Sequence, residues 1–202
     1  NNKYFLTLGF RVDGNSAFGE DFGLQFYPKI SGSWVVSDED FWGDRGQLKL
    51  RAAWGESGRA PGAFDAVQTY LGVGWGPNPA FFPGVLGNPE LGPERTSELE
   101  FGFDGSFFAD RVQVDFTYYD QKTTDALFAV RQPASNGGWP AQLDNVGEIA
   151  NKGIELTVNT AVFESDTWAW DLGASYSTNN SEVGLPEEVP EFSTGGGRSE
   201  EH

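Results

Sequence analysis

Side-chain character alternates from residue to residue along most of this chain, and no stretch has the period of about 3.6 residues that marks an amphipathic helix. In one such stretch Ile154, Leu156 and Val158 are apolar, while a glutamate and a threonine lie between them. Because successive side chains of a β-strand point to opposite faces, this alternation predicts strands with one apolar and one polar face. Seven such strands are predicted, near residues 3–13, 22–36, 46–55, 94–107, 110–128, 147–163 and 167–180.

The connections between these strands alternate in length. Three are short, near residues 37–45, 107–111 and 164–167. The interleaved ones are longer, at 14–21, 56–93 and 129–146, and the residues after 182 would supply the next. One edge of the sheet therefore carries tight turns and the opposite edge carries long loops. This asymmetry is typical of an outer-membrane β-barrel, which has short periplasmic turns and long extracellular loops.

We therefore predict an all-β fold, an antiparallel up-and-down meander that forms part of a large transmembrane β-barrel. Residues 1–182 are assigned to the partial barrel, with long loops at 56–93 and 129–146, and residues 183–202 to a loop or disordered tail. A soluble β-sandwich would show the same alternation and remains the alternative, as a secreted or surface protein that binds carbohydrate.

Three features favour the barrel over the sandwich. Several strands exceed the five or six residues typical of globular proteins. The polar faces are rich in carboxylates, amides and hydroxyls, which suits a watery lumen. Aromatic residues also collect near the short-turn edge, as in a girdle at a membrane interface. These residues are Trp34, Phe41, Trp42, Phe107, Phe108, Phe163 and Trp168.

Composition excludes several classes of function. The chain carries 30 acidic and 13 basic side chains, a formal net charge of -17, which disfavours nucleic-acid binding. Cysteine is absent and the single histidine is the terminal His202, so neither a thiolate zinc site nor a Ser-His-Asp triad is predicted. The acidic run at 37–40 lacks the Asp-x-Asp-x-Asp-Gly spacing of a calcium loop. We expect no catalytic residue, no metal and no cofactor, and hence no enzyme.

Five stretches, in order along the chain, resemble one known family. It is the SusC/RagA type of TonB-dependent outer-membrane receptor, and the match spans most of residues 3–182. The stretches are YFLTLGFRVDGNSAFG (4–19), YPKISGSWVVSDEDFW (27–42), LKLRAAWGESG (48–58), NPELGPERTSELEFGFDGSFFADRVQVDFTYYDQKTTDALF (88–128) and NVGEIANKGIELTVN (145–159).

The resemblance implies a barrel of about 22 strands around an N-terminal plug, in the outer membrane of a Gram-negative-type bacterium. It implies import of an oligomeric nutrient, a glycan or a peptide, with energy from the TonB complex and a SusD-type surface lipoprotein as a lid. Seven strands would make about a third of such a barrel, and an open arc leaves backbone groups unpaired in lipid. We therefore expect the working protein to include more chain.

Aromatic residues on the predicted loops are the candidates for substrate binding. Exposed rings can stack on sugar faces or hold apolar peptide side chains, although they can equally pack together to shape a long loop. The candidates are Tyr70, Trp75, Phe81, Phe82 and Trp139. Asn145, Gly147, Asn151 and Gly153 are instead predicted to shape the descent from loop to strand, because these residue types tolerate the backbone angles of a bulge.

Overall fold

The computed structural model describes residues 2–15, 23–133, 135 and 141–186, and for Trp75 and Pro83 it describes the backbone alone. Seven strands form one antiparallel sheet in the order β1-β2-β3-β6-β7-β8-β9. No helix within these residues has the length and the apolar character needed to cross a membrane. The strands of this sheet are β1 (Tyr4–Asp13), β2 (Gln25–Val35), β3 (Gln47–Arg59), β6 (Glu94–Phe107), β7 (Val112–Arg131), β8 (Ala141–Glu164) and β9 (Ala169–Gly184).

A separate two-stranded hairpin lies between β3 and β6. It pairs β4 (Gln68–Trp75) with β5 (Asn78–Leu86) and is closed by Gly76 and Pro77. The sequence prediction placed a long loop at 56–93 and missed this hairpin. Its signal is two alternating runs separated by a Gly-Pro pair. Glycine in both runs and proline in the second obscured this signal.

The predicted fold class is confirmed, with seven main strands in the predicted meander. The strands run further toward the loop edge than predicted, since β7 continues to Arg131 and β8 begins at Ala141. At 20 and 24 residues these two strands exceed the about 9–11 residues that cross a bilayer. Their loop-side ends therefore project beyond the apolar band described next. Residues 187–202, most of the predicted tail, lie outside the described residues.

One row of paired residues crosses all seven strands and carries only apolar or aromatic side chains. Neighbours in this row face each other directly in the strand register, and every member lies on the same face of the sheet. Phe103 stacks on Phe116 within the row, with ring centroids 5.6 Å apart. The row is Tyr4, Trp34, Leu50, Phe103, Phe116, Leu156 and Tyr176.

The apolar band is oblique to the strands, and the register gives its angle. On β9 the band ends toward the loops at Tyr176, and the row of Tyr176 meets Tyr4 on β1. On β1 the band continues to Val12, eight residues beyond Tyr4 and six strand spacings away from β9. This offset is about 26 Å along a strand for about 29 Å across the sheet, a tilt of about 40°. Transmembrane barrel strands tilt by about 35–45°, so the band becomes level when the sheet is the wall of such a barrel.

The apolar face is not covered by a second layer among the described residues. Across all the described residues, the buried apolar side chains are Tyr27, Val36, Leu91 and Ala126. Only Val36 and Leu91 among them are aliphatic residues larger than alanine. Leu6, Leu8 and Phe10, which belong to the apolar face, are exposed. A soluble sandwich would seal these residues between two sheets, so the carbohydrate-binding sandwich is not favoured.

Aromatic side chains line the turn edge, as the sequence predicts. Phe41, Phe108, Phe163 and Trp168 are exposed there. Trp42 instead turns inward, where its Nε1 donates a hydrogen bond to the carbonyl of Gly46 at 2.7 Å. The exposed rings are placed to form an interfacial girdle, which is where amphipathic rings are most stable in a bilayer.

An arginine at position 156 tests which face meets lipid. Leu156→Arg places a cation in the middle of the apolar band on β8 and is expected to lower the free energy of unfolding by about 2–4 kcal/mol. The matched variant Thr157→Arg places the same cation on the polar face and is expected to cost less than about 1 kcal/mol. Urea titration of the full-length protein folded in phospholipid vesicles measures both values. Equal losses in the two variants would contradict the assignment of the faces.

Candidate functional site

The polar face of the sheet is organised around Arg51. This side chain lies on β3, and its row continues through Gly102 and Thr117 to Glu155. We call this face the lumenal wall, because it is the side that a closed barrel would turn toward its interior. A guanidinium has five N–H donors in a fixed plane, so one arginine can hold several oxygen acceptors at once.

Arg51 holds side chains of two neighbouring strands together. Its Nη1 donates to Glu100 Oε1 at 2.8 Å and its Nε donates to Asp104 Oδ1 at 3.2 Å. Its Nη2 donates to Asp115 Oδ1 at 3.1 Å and to Thr117 Oγ1 at 2.7 Å. Lys49 Nζ also lies 3.9 Å from Asp104 Oδ2, so two cations face three carboxylates and the local charge stays negative. This arrangement stabilises the register of β3, β6 and β7 and makes the wall more attractive to cations than to anions.

A second set of side-chain hydrogen bonds crosses four strands of the lumenal wall, from β6 to β9. Gln121 Nε2 donates to Glu98 Oε2 at 2.8 Å, and Asn151 Nδ2 donates to Gln121 Oε1 at 3.3 Å. The hydroxyl of Ser181 then donates to Asn151 Oδ1. These groups are neighbours in one register row from β6 to β9. The wall thus presents amide, hydroxyl and carboxylate groups. Water or a polar solute can take the place of their present hydrogen-bond partners at little cost in free energy.

The most densely packed place in the described chain lies at the loop edge. Residues 87–93 lie against the loop-side ends of β7 and β8, and Leu91 there is 0% exposed. The side-chain amide of Asn145 pairs with both backbone groups of Gly92, accepting from its N–H at 2.7 Å and donating to its carbonyl at 3.0 Å. It also donates to the carbonyl of Asp125 at 2.8 Å, at a bulge in β7. We call residues 87–93 with Asn145 the loop post.

The loop post also closes the base of the hairpin. The N–H of Asn88 donates to the carbonyl of Asp65 at 3.0 Å, which brings together the two ends of the segment that contains β4 and β5. Asn88 Nδ2 donates to the carbonyl of Leu143 at 3.1 Å, and Gln142 Nε2 donates to the carbonyl of Gly87 at 2.6 Å. The hairpin is therefore fixed to β8 at its base. The sequence analysis predicted that Asn145 shapes the backbone between loop and strand, and its hydrogen bonds support that role. The role of Asn88 in closing the hairpin could not be predicted, because the hairpin itself was not predicted.

The candidate aromatic residues do not form one cluster. Tyr70 and Phe81 lie on one face of the hairpin, since Tyr70 is two residues from Gly72, the register partner of Phe81. Phe82 lies on the opposite face with its partner Leu71. Phe81 and Phe82 are both largely exposed. The side chain of Trp75 and the whole of Trp139 lie outside the described residues.

The acidic run at 37–40 has a structural role at the turn edge. Glu39 accepts hydrogen bonds from Tyr4 OH at 2.6 Å, from Lys3 Nζ at 3.0 Å and from Trp34 Nε1 at 3.1 Å. The bond from Tyr4, followed by those from Lys3 and Trp34, lowers the pKa of Glu39 from 4.5 to about 2. The carboxylate of Glu39 therefore anchors the turn to the start of β1 and to the end of β2.

The chain is similar to proteins of one family along almost its full length. The family model described as TonB dependent receptor-like, beta-barrel matches residues 1–198. TonB-dependent receptor P26 of Formosa agariphila is 35% identical over 90% of this chain, and TonB-dependent receptor SusC of Bacteroides thetaiotaomicron is 26% identical over 90%. This chain spans 19% of the length of each of these relatives.

Solved structures show the same fold. The structure of the RagAB peptide transporter superposes with a TM-score of 0.83 over 93% of this chain and 21% of that chain, at 20% identity. The siderophore receptor PirA of Pseudomonas aeruginosa superposes with a TM-score of 0.59 over 90% of this chain. Both share the fold of this chain, and the first does so over nearly the whole sheet.

Removing the amide of Asn145 tests the loop post. Asn145→Ala leaves the N–H and carbonyl of the buried Gly92 without this partner and is expected to destabilise the post by about 2–3 kcal/mol. Faster deuterium exchange and faster proteolysis within residues 60–93 of the full-length protein would report it. Asn179→Ala, which removes an exposed amide bonded to Ser181, is the matched control. Similar exchange in both variants would show that Asn145 does not hold the post.

The anchor at Glu39 predicts a pH dependence with a definite sign. Because folding lowers the pKa of this carboxyl from 4.5 to about 2, its contribution to stability is fully present above pH 4.5 and is lost as pH falls toward about 2. The difference in unfolding free energy between the wild type and Glu39→Gln is therefore expected to be constant above pH 5 and to shrink between about pH 4.5 and pH 2. A difference that stays constant down to pH 2 would contradict the anchor.

Proposed function

Because this chain belongs to the TonB dependent receptor-like beta-barrel family, we propose that it forms part of the wall and loop edge of an outer-membrane importer. The chain spans about a fifth of its curated relatives, so the importer is a larger protein that includes this segment. It would lie in the outer membrane of a Gram-negative-type bacterium and would take up an oligomeric nutrient.

One observation carries this proposal: the oblique apolar band with a hydrated wall behind it. The band is level only when the strands tilt by about 40°, and its side chains are exposed or half-buried in the seven-stranded sheet. The opposite face presents the Arg51 cluster and the amide chain of Gln121 and Asn151. A sheet with lipid on one side and water on the other suits the wall of a transport channel.

The partners of the importer follow from the family and from named relatives. We infer that a TonB complex supplies energy and that a SusD-like lipoprotein covers the loop edge. Both partners are implied by the resemblance of this chain to receptors of the SusC type. The RagAB structure is that of a peptide transporter, and SusC is a named relative, so a peptide or a glycan is the cargo class. Outer-membrane lipid contacts the apolar band, and no nucleic acid is involved.

The proposed role of this segment is binding and passage without chemistry of its own. Glu100, Asp104 and Asp115 all bind the same guanidinium, and Glu98 is bonded to Gln121. Carboxylates tied in this way support the wall. An acid/base pair for glycoside cleavage would instead need two carboxyls free to face a scissile bond at a set separation.

The aromatic residues of the hairpin are proposed to contact the cargo. Phe81 and Tyr70 present exposed rings on one face at the loop edge, and Phe82 presents a ring on the other. We propose the same role for Trp75 and for Trp139, the aromatic residue of the neighbouring connection. Rings of this kind bind sugar faces or apolar side chains by replacing water at their surface.

The change Phe81→Ala tests the cargo contact. It is expected to weaken cargo binding to the full-length protein by about tenfold, or about 1.4 kcal/mol, because the ring is lost from the contact face. The matched control is Phe108→Ala, since Phe108 is 77% exposed and Phe81 is 78% exposed, but Phe108 lies at the turn edge. Isothermal titration with the cargo taken up by cells measures both affinities.

Uptake by whole cells tests the function itself. Cells that carry the full-length protein are expected to accumulate labelled oligomers, and deletion of the TonB complex should abolish that accumulation. Uptake that persists without the TonB complex, or a full-length protein that purifies from buffer as a folded monomer without detergent, would refute the proposal.

A further inference from the structure

The hairpin of β4 and β5 has a defined pattern of backbone hydrogen bonding. Trp75 pairs with Asn78 across the two-residue loop. Gly76 has a φ of 61°, which suits the first central position of a type II′ turn, where φ is positive. In such a hairpin the pair beside the loop exchanges both backbone hydrogen bonds, and bonded and non-bonded pairs then alternate. Gly74 with Pro79 and Gly72 with Phe81 are therefore non-bonded pairs, whose backbone groups point away from the hairpin.

The positions of two prolines agree with this pattern. Pro79 and Pro83 both belong to non-bonded pairs, where the missing N–H of proline costs no hydrogen bond within the hairpin. At these positions the missing groups would have pointed outward from β5. The outer edge of β5 thus keeps the N–H of Phe81 between two positions that have none. Proline on an edge strand prevents another chain from pairing there.

The outer edge of β4 is different. Gly72 and Gly74 point their backbone groups outward, and a Cβ placed on either glycine would have no atom within 4 Å. Within the part of the chain that the structure describes, the sheet of this hairpin has two strands only, so no further strand lies against β4. At both Gly72 and Gly74, therefore, the backbone N–H and carbonyl groups point outward and no side chain covers them. A second backbone can approach such an edge closely.

We propose that the β4 edge, at Gly72 and Gly74, binds an extended peptide as an added strand. This inference rests on the proposed import function and specifies its cargo as peptide. The peptide exchanges backbone hydrogen bonds with the two glycines, and its side chains alternate between the two faces of the hairpin. Binding is therefore largely independent of the peptide sequence.

The contrast between the two edges favours a peptide over a glycan. Prolines that remove donors from one edge while the other stays open matter only to a partner that pairs through its backbone. A sugar chain lacks the regular donor and acceptor spacing of a strand and would gain nothing from that contrast. Residues 66–89 also contain no charged side chain, in a chain with a net charge of -17, so the hairpin repels neither acidic nor basic peptides.

The position of the open edge favours cargo over a strand of the same protein. The edge runs beside Tyr70 and Phe81, the rings proposed to contact cargo, and Leu71 and Val73 next to it are exposed as well. The edge, both faces beside it and the rings thus form one continuous exposed surface at the loop edge. An added peptide strand would bury apolar side chains on both faces of the hairpin.

Deuterium exchange on the full-length protein in detergent tests the site directly. The probe is an octapeptide of alternating threonine and alanine, and its control is the same peptide with every backbone nitrogen methylated. The unmodified peptide is expected to slow exchange of the Gly72 and Gly74 amides by at least about tenfold, and the methylated peptide to leave it unchanged. Amides already protected before the peptide is added would overturn the inference, since another part of the protein would then occupy the edge.

Two variants separate the edge from the rest of the hairpin. The double change Gly72→Pro with Gly74→Pro removes both edge donors and is expected to weaken peptide binding by at least about tenfold. Pro79→Ala alters the opposite edge and should leave the affinity within about twofold. Heat-modifiable mobility of the outer-membrane protein shows that each variant folds. Equal affinities in the wild type and the double variant would overturn the inference.

A neutral oligosaccharide such as maltohexaose separates this inference from the proposed function. If the oligosaccharide, and not the peptide, slows exchange at Gly72 and Gly74 and is taken up by cells, the peptide inference fails while the import function stands. If cells take up no oligomer of either class through the full-length protein, the import function fails too.

Discussion

Backbone hydrogen bonding in the absence of water is the constraint on which the rest of this structure depends. A strand that faces lipid has no solvent to satisfy its N–H and carbonyl groups, so each group must pair with a neighbouring strand. Once the strands are paired, the alternation of side chains fixes the face on which each residue lies. In a closed barrel the face with Leu156 and Phe103 would meet hydrocarbon, and the face with Arg51 would meet water. The separation of an apolar from a polar face follows from that pairing together with the alternating sequence.

Close pairing in turn explains where glycine is required. A Cβ on Gly102 would overlap the carbonyl oxygen of Phe116, and one on Gly153 would overlap that of Thr178. Both contacts are with backbone and cannot be relieved by a change of rotamer. These glycines lie on the lumenal wall, where Tyr119 also covers Gly153 and donates to Asn179 Oδ1 at 3.2 Å. Small residues in the wall therefore let large ones cross it without disturbing the ladder.

The sequence predicts the sheet well because period-two alternation is a local signal. Strand identity, face and meander order follow from it, and five short stretches point to the family. The Arg51 cluster needs the register between β3, β6 and β7, which alternation does not supply, and so it was not predicted. The hairpin was missed because glycine and proline dilute its alternation. Phe81 and Phe82 were both predicted to bind substrate, and the hairpin places them on opposite faces because they are adjacent in one strand. Trp139 lies outside the described residues and stays a prediction.

The closed base of the hairpin has a consequence for how such proteins diverge. The two ends of the segment meet where the N–H of Asn88 bonds to the carbonyl of Asp65, and Gln142 ties the adjoining Gly87 to β8. Insertion, deletion or substitution of residues between these ends leaves the geometry of the wall unchanged. The reason is that the hydrogen bonds at the base already hold the two ends of the segment together. The length and sequence of the hairpin can thus change while the strands of the wall keep their register.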